Sequence, residues 1–387
     1  MTPLVASLPE EGAAVSCCGC SAPPPPRPVV RTEAELRELL SYEPPEQVVI
    51  DLLQEEAPLY DQLDSIAVSR IRGALLLALG PGRLSERALP YVLEELQSAH
   101  DPYLTAVCAR VLRQAAPNPD FVGPLLDAIL YIRHQDDSLR LSTYGGRGAE
   151  GPRTTAMAEV LGTLGALGGA ARAALPRLRE LVAETPGPVT EAAARAAIAA
   201  IEQAPVAYDS PGVEPGLVNL PVRRSAPLQG FEFEDQDGVR LVSEDFFVGR
   251  PTIVVFFYTR CDNPTKCALT ITKLGRLQAL LRDEGLNQAI QTAAITYDPA
   301  YDRPEQLAQY RDTWGADTGP RHRFLRTTGD MDALRAHFEL GVNFVSSVVN
   351  RHRLEAYILD SQGRITDRIT RMRWSERDLI TRALNAG

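Results

Sequence analysis

The spacing of apolar residues changes period once along this chain, and that change constrains the fold more than any other feature. From Arg31 to Gln203 the apolar positions recur at helical intervals, and strand signals are nearly absent. Beyond Ser225, short β-branched and aromatic runs alternate with helical segments. Between the two regimes Pro205, Pro211, Pro215 and Pro221 interrupt any periodicity, so residues 204–224 read as a linker. At 387 residues the chain is too long for one ordinary core. The expected organisation is a tail over residues 1–30, a helical unit over 31–203, the linker, and an α/β unit over 225–387.

Within the helical unit a loose motif recurs. ALPYVLEEL (88–96), VGPLLDAIL (122–130) and ALPRLRELV (174–182) each place a proline, Pro90, Pro124 or Pro176, where a first helical turn tolerates it. An apolar residue follows two positions on (Val92, Leu126, Leu178) and another six positions on (Leu96, Leu130, Val182). A second helical segment follows each copy, the middle pair being separated by a glycine-rich insertion that reads as a loop. Paired helices in tandem, each unable to bury its apolar face alone, make an α-solenoid, and the stretch resembles HEAT-type repeats. Such a solenoid presents a concave surface to a protein partner. No phosphate loop, catalytic triad or carboxylate pair is visible there, so no separate enzymatic activity is expected.

The formal charge of −10 argues against wrapping nucleic acid or adhering to an anionic membrane. No run of eighteen apolar residues occurs, so no transmembrane helix is expected. The first residues lack a basic n-region, and Pro9, Glu10 and Glu11 interrupt any apolar core of a signal peptide. Ala14-Val15-Ser16-Cys17 has the look of a lipoprotein cleavage box without the apolar segment in front. On these signals alone the chain reads as cytoplasmic. The tail carries Cys17, Cys18 and Cys20 ahead of a proline run; it reads as a solvated tail, with capture of Cu(I) by the thiols as the sharper alternative.

In the α/β unit, FEFEDQDGVRL (231–241) alternates around a DG turn and predicts a hairpin. PTIVVFFY (251–258) predicts a strand buried on both faces. Further strands are expected at AAITYD and on either side of the turn in LEAYILDSQGRI, with helices over LTITKLGRLQALLRDEG, RPEQLAQYRDTWG and SERDLITRALNA. The first buried strand runs into CDNPTKC, so Cys261 and Cys267 flank the start of a helix whose free N–H groups favour thiolates. Asn263 is the expected N-cap, Pro264 the first helical residue, and Lys266 is expected to favour the Cys267 thiolate. His337 reads as a helix-face residue, His322 as a solvated loop residue, His100 and His134 as residues following helices, and Cys108 as a small buried hydrophobe.

Three ordered segments of this unit are similar to the Sco/SenC family. FFYTRC-x5-C with LTITKLGRLQ, then ITYDPAYDRPEQLAQY with Asp298, Asp302 and Pro304, then NRHRLEAYILDSQGRI follow the family's motifs in sequence. The resemblance implies a thioredoxin-like fold and a copper site of two thiolates and one imidazole, here Cys261, Cys267 and His352. It also implies service in the assembly of a copper enzyme such as cytochrome oxidase, with a subunit of that enzyme as protein partner, and a place in the cell envelope. The family spaces its cysteines C-x3-C, whereas CDNPTKC is C-x5-C, which puts the site's geometry and affinity in question. Soft sulfur suits Cu(I), and the added nitrogen lets the same donors hold Cu(II), although zinc accepts them too. The rival readings are a thiol–disulfide oxidoreductase using Cys261 and Cys267, the one enzymatic alternative, and a helical scaffold with a degenerate Sco-like domain. Ordinary thioredoxin reductants use C-x-x-C and a cis-proline; here no proline follows Pro320.

Overall fold

The computed structural model describes residues 29–80, 84–98, 101–133, 135, 137–141, 153–184, 187–205, 225–261, 263–345, 348–371 and 374–387. Cys17, Cys18, Cys20, His100, His134 and residues 206–224 of the linker lie outside them. The N-terminal region is helical: α1 (Glu33–Leu40), α2 (Glu46–Leu52), α3 (Ser65–Ala78), α4 (Leu89–Ser98) and α5 (Pro102–Arg113) come first. After α6 (Val122–Ile132), β1 (Leu139–Arg140) and β2 (Arg153–Thr154) pair as a short antiparallel ladder, and residues 142–152 of the glycine-rich insertion, read as a loop from the sequence, lie outside the described residues. The helices α7 (Ala156–Ala166), α8 (Leu175–Ala183) and α9 (Pro188–Gln203) complete the region.

Capping explains several starts. Thr32 and Glu35 form a reciprocal capping box on α1, and Asp64 and Asp101 accept backbone N–H bonds at the starts of α3 and α5. Each repeated proline sits in a first turn, at Pro90 of α4, Pro124 of α6 and Pro176 of α8. The repeat is uneven in its packing. Val92, Leu96 and Leu178 are buried, but Leu130 is 54% exposed, because α6 turns Leu125, Ala128 and Ile129 inward instead.

The C-terminal region is an α/β sheet domain. Its elements are β3 (Glu232–Asp235), β4 (Arg240–Val242), α10 (Ser243–Phe247), β5 (Thr252–Phe257), α11 (Leu269–Asp283) and β6 (Gln291–Thr296), then α12 (Pro304–Trp314) and β7 (His322–Thr327). They continue with α13 (Met331–Phe338), β8 (Val342–Val345), β9 (Val348–His352), β10 (Glu355–Leu359), β11 (Ile365–Thr370) and α14 (Glu376–Ala386). The main sheet has the order β11-β10-β5-β6-β7-β3-β4. Among the described residues only β5–β6 and β6–β7 are parallel pairs, joined by the crossovers through α11 and α12. The apolar run predicted as β5 is buried along its whole length. Its successive side chains face opposite layers, so Phe256 meets Phe338 of α13 while Phe257 stacks on Tyr310 of α12.

Two features differ from expectation. His322 opens strand β7 instead of sitting in a solvated loop, and its Nδ1 lies 2.9 Å from the Thr292 hydroxyl of β6. The hairpin β8–β9 also forms, paired from Val342↔His352 to Val345↔Val348. His337 lies on α13 and Cys108 is fully buried in α5.

The helical region and the sheet domain each have an apolar core. Where they meet, the seam is polar and buried: Glu55, Glu94 and Glu95 on the helical side face Lys266, Arg351 and Arg371 on the other. Among the described residues no helix is long and apolar enough to cross a membrane.

Candidate metal centre

Strand β5 delivers its chain to the carboxyl edge of the sheet, where it turns through Tyr258-Thr259-Arg260 into Cys261. The turn is held by carboxylates from the loop after β6. Buried Asp302 accepts from the Thr259 N–H at 3.1 Å and from the hydroxyls of Thr259 and Thr296. Asp298 pairs with Arg260, whose guanidinium also lies over the Tyr301 ring. Asp298 and Asp302 of the sequence motif thus fix the loop that carries the first cysteine.

Asn263 caps the next segment as expected, its side chain accepting from the Thr265 N–H at 3.0 Å, with Pro264 in first position. The turn Pro264–Ala268 is π-helical, wider than an α-turn, before α11 proper begins at Leu269. Loop and wide turn together accommodate the long C-x5-C spacing, and Cys267 ends almost fully buried.

His352 arrives from the end of β9. Its Nε2 lies 3.6 Å from Cys261 Sγ and 3.5 Å from Cys267 Sγ, and the three donor atoms fall within 4.8 Å of one another. Its Nδ1 lies 3.2 Å from the Arg353 carbonyl, which can only accept. Nδ1 therefore carries the proton and donates, which in a neutral imidazole leaves the Nε2 lone pair aimed at the sulfurs. Tyr258 edge-on and Tyr297 tilted, with ring centroids 5.5 and 5.4 Å away, wall the imidazole in.

The two thiols are driven apart in acidity. A hydrogen bond from Cys267 holds Cys261 down to about 3, with burial opposing and His352 adding to the effect. Burial pushes the Cys267 thiol well up, and the neighbouring Cys261 thiolate pushes it further. Lys266 favours the Cys267 thiolate as expected, but burial and the Cys261 thiolate outweigh it; its Nζ also donates to the His352 carbonyl at 2.6 Å and lies 3.9 Å from Glu94.

The donor set fits a soft metal ion. A metal bonded at about 2.3 Å to sulfur and about 2.05 Å to nitrogen, at a tetrahedral angle, keeps S and N about 3.6 Å apart. The two S···N separations match that figure before any movement. Two features had no signal in the sequence. The role of Lys266 as a strut under His352, and of Glu94 beneath both, depends on partners that are remote along the chain.

Comparison with known proteins agrees on the region. The SCO1/SenC family model matches residues 223–385. A protein of Stutzerimonas stutzeri named "Putative copper-binding protein" is 35% identical over 127 residues, which is 33% of this chain and 56% of that relative. The chain thus spans about half the length of this curated relative. Among solved structures, a SCO1/SenC family lipoprotein from Bacillus anthracis str. Ames is 22% identical, covering 41% of this chain and 94% of its own, with a TM-score of 0.36. Yeast Sco1 with copper bound is 23% identical, covering 42% and 91%, with a TM-score of 0.33.

Proposed function

We propose that this chain is a copper-binding metallochaperone of Sco/SenC type whose thioredoxin-like domain holds a single copper ion through Cys261, Cys267 and His352. The observation that carries the reading is the convergence of one imidazole nitrogen and two sulfurs from three separate segments, with the nitrogen's tautomer fixed for ligation. When bound, the metal supplies a Cu(I)/Cu(II) couple; the chain's own residues orient the imidazole, keep one thiol ionised and shield the other from water. Delivery is to a copper enzyme such as cytochrome oxidase, in the cell envelope. The helix pairs of residues 31–203 form a HEAT-like scaffold, separated by the linker 204–224 from the copper domain of 225–387. The scaffold's acidic face is occupied by the copper domain, so a protein partner meets a different face.

The test is to load the reduced protein with copper anaerobically and count bound metal. The wild type retains a single ion; Cys261→Ser and Cys267→Ser lose it, and His352→Ala loses Cu(II) most readily. Metal retention by all three variants overturns the reading.

One observation supports a second reading as a thiol–disulfide oxidoreductase, namely the Cys261 thiolate beside a protonated Cys267. Cys261 would attack a substrate disulfide and release one thiolate; Cys267 would then close the Cys261–Cys267 disulfide and release the second. Metal-free disulfide reduction that survives His352→Ala distinguishes it.

A further inference from the structure

All three segments that carry the candidate ligands are tied to the helical region. The Asn263 side chain, beside Cys261, donates to the Ser98 carbonyl at the end of α4. In the β8–β9 hairpin, Asn343 donates to Asp61 at 3.0 Å, and Asn350 donates to the Tyr60 and Leu63 carbonyls at 3.3 and 3.1 Å. Arg351 pairs with Glu95 of α4, next to His352 itself.

Glu94 of α4 sits at the centre of these ties. It is 1% exposed. Its Oε1 accepts the Leu354 N–H at 3.0 Å, two residues beyond His352, and lies 3.9 Å from Lys266 Nζ, one residue before Cys267. Lys266 in turn donates to the His352 carbonyl at 2.6 Å. Its other oxygen accepts from Arg371 at 2.8 Å, and Arg371 is itself pinned by Glu55. Glu94 therefore joins the imidazole-bearing strand to the thiol-bearing turn. Buried this deeply, the Glu94 side chain has no water to replace those donors, so moving any one of them is costly.

We propose that the helical region is a structural wall of the metal centre, and that Glu94 is a positioning residue that clamps the His352 backbone against the Cys267 turn. The inference rests on the copper reading above. Two thiolates hold Cu(I) without help, whereas Cu(II) depends on the nitrogen donor. The clamp is therefore felt chiefly in the Cu(II) state.

The test uses the full chain, with Glu94→Gln compared to the wild type and to Glu159→Gln. Glu159 is a buried helical-region carboxylate held by Arg110 and Arg113, and serves as a control for general loss of stability. In the metal-free protein, Glu94→Gln should remove hydrogen-exchange protection from residues 348–354, and Glu159→Gln should not. With copper alone as probe, Glu94→Gln should weaken Cu(II) by about 10- to 100-fold, the range for groups that orient metal ligands, and leave Cu(I) nearly unchanged. Wild-type exchange in residues 348–354 together with an unchanged ratio of Cu(II) to Cu(I) affinity overturns the proposal. If Glu94→Gln does not fold, Asn350→Ala carries the same prediction through two interdomain hydrogen bonds and no buried charge. A wild type that binds no copper while the exchange effect persists sinks the copper reading and leaves the clamp standing.

Discussion

At the scale of single residues, the two cysteines divide their labour because they meet water differently. Cys261 is half-buried and receives a hydrogen bond from Cys267, which stabilises its thiolate; Cys267 is sealed in the core and keeps its proton. Iodoacetamide at about pH 5 should therefore modify Cys261 and spare Cys267, since a depressed thiol remains thiolate there. Peptide mass mapping reads the outcome, and equal labelling of both would contradict the assigned order. His352 was legible from its offset to Tyr357 and Asp360 in a familiar motif. Glu94 was not, because its bond to Leu354 spans 260 positions and nothing local distinguishes it from any helical glutamate.

Among the elements, strand β5 does most to place the site. It is central in the sheet and aims its carboxyl end at the cysteine loop. Phe257, fully buried between Tyr310 and Phe324, anchors that end. Phe257→Ala should cost about 3–5 kcal/mol, measured as a lower urea midpoint, with loosened Cys261 geometry as a consequence. A shift below 1 kcal/mol would mean the strand end is not the anchor described. Gly275 of α11 offers a second check, since an added methyl would collide with the Gly315 carbonyl after α12; Gly275→Ala should destabilise by about 1–3 kcal/mol. Elements with strong periodicity or a buried apolar run, such as β5, β6, α11 and α14, could be read from the chain. Strand β7 could not, because His322, Arg323 and Arg326 mask its alternation and its stability comes from pairing with β6 and β3. The β8–β9 hairpin gave no turn signal of the usual glycine or proline kind, and its outer face is closed by the helical region.

For the whole molecule, the buried ionic seam makes the two regions interdependent and sensitive to acid. Burial opposes the charge on Glu55 and Glu95, but Arg371 and Arg72 on the first, and Arg351 and Arg72 on the second, outweigh it and hold both below the usual carboxylate value. A carboxyl group whose folded pKa is depressed stabilises fully above its unfolded value of about 4.5 and loses that contribution as pH falls through the folded one. The contribution of the seam to stability should therefore be flat from pH 7 to about 5 and decline below about 4.5, in parallel with loss of exchange protection along the seam. Stability that rises on acidification would contradict the assigned ionisation.

The most direct measurement is copper K-edge X-ray absorption on the anaerobically loaded full chain, with His352→Ala beside it. Two sulfurs at about 2.3 Å and one nitrogen near about 2.0 Å are predicted, with the nitrogen shell diminished in the variant. A shell of nitrogen and oxygen alone, or a spectrum indifferent to His352→Ala, would contradict the account.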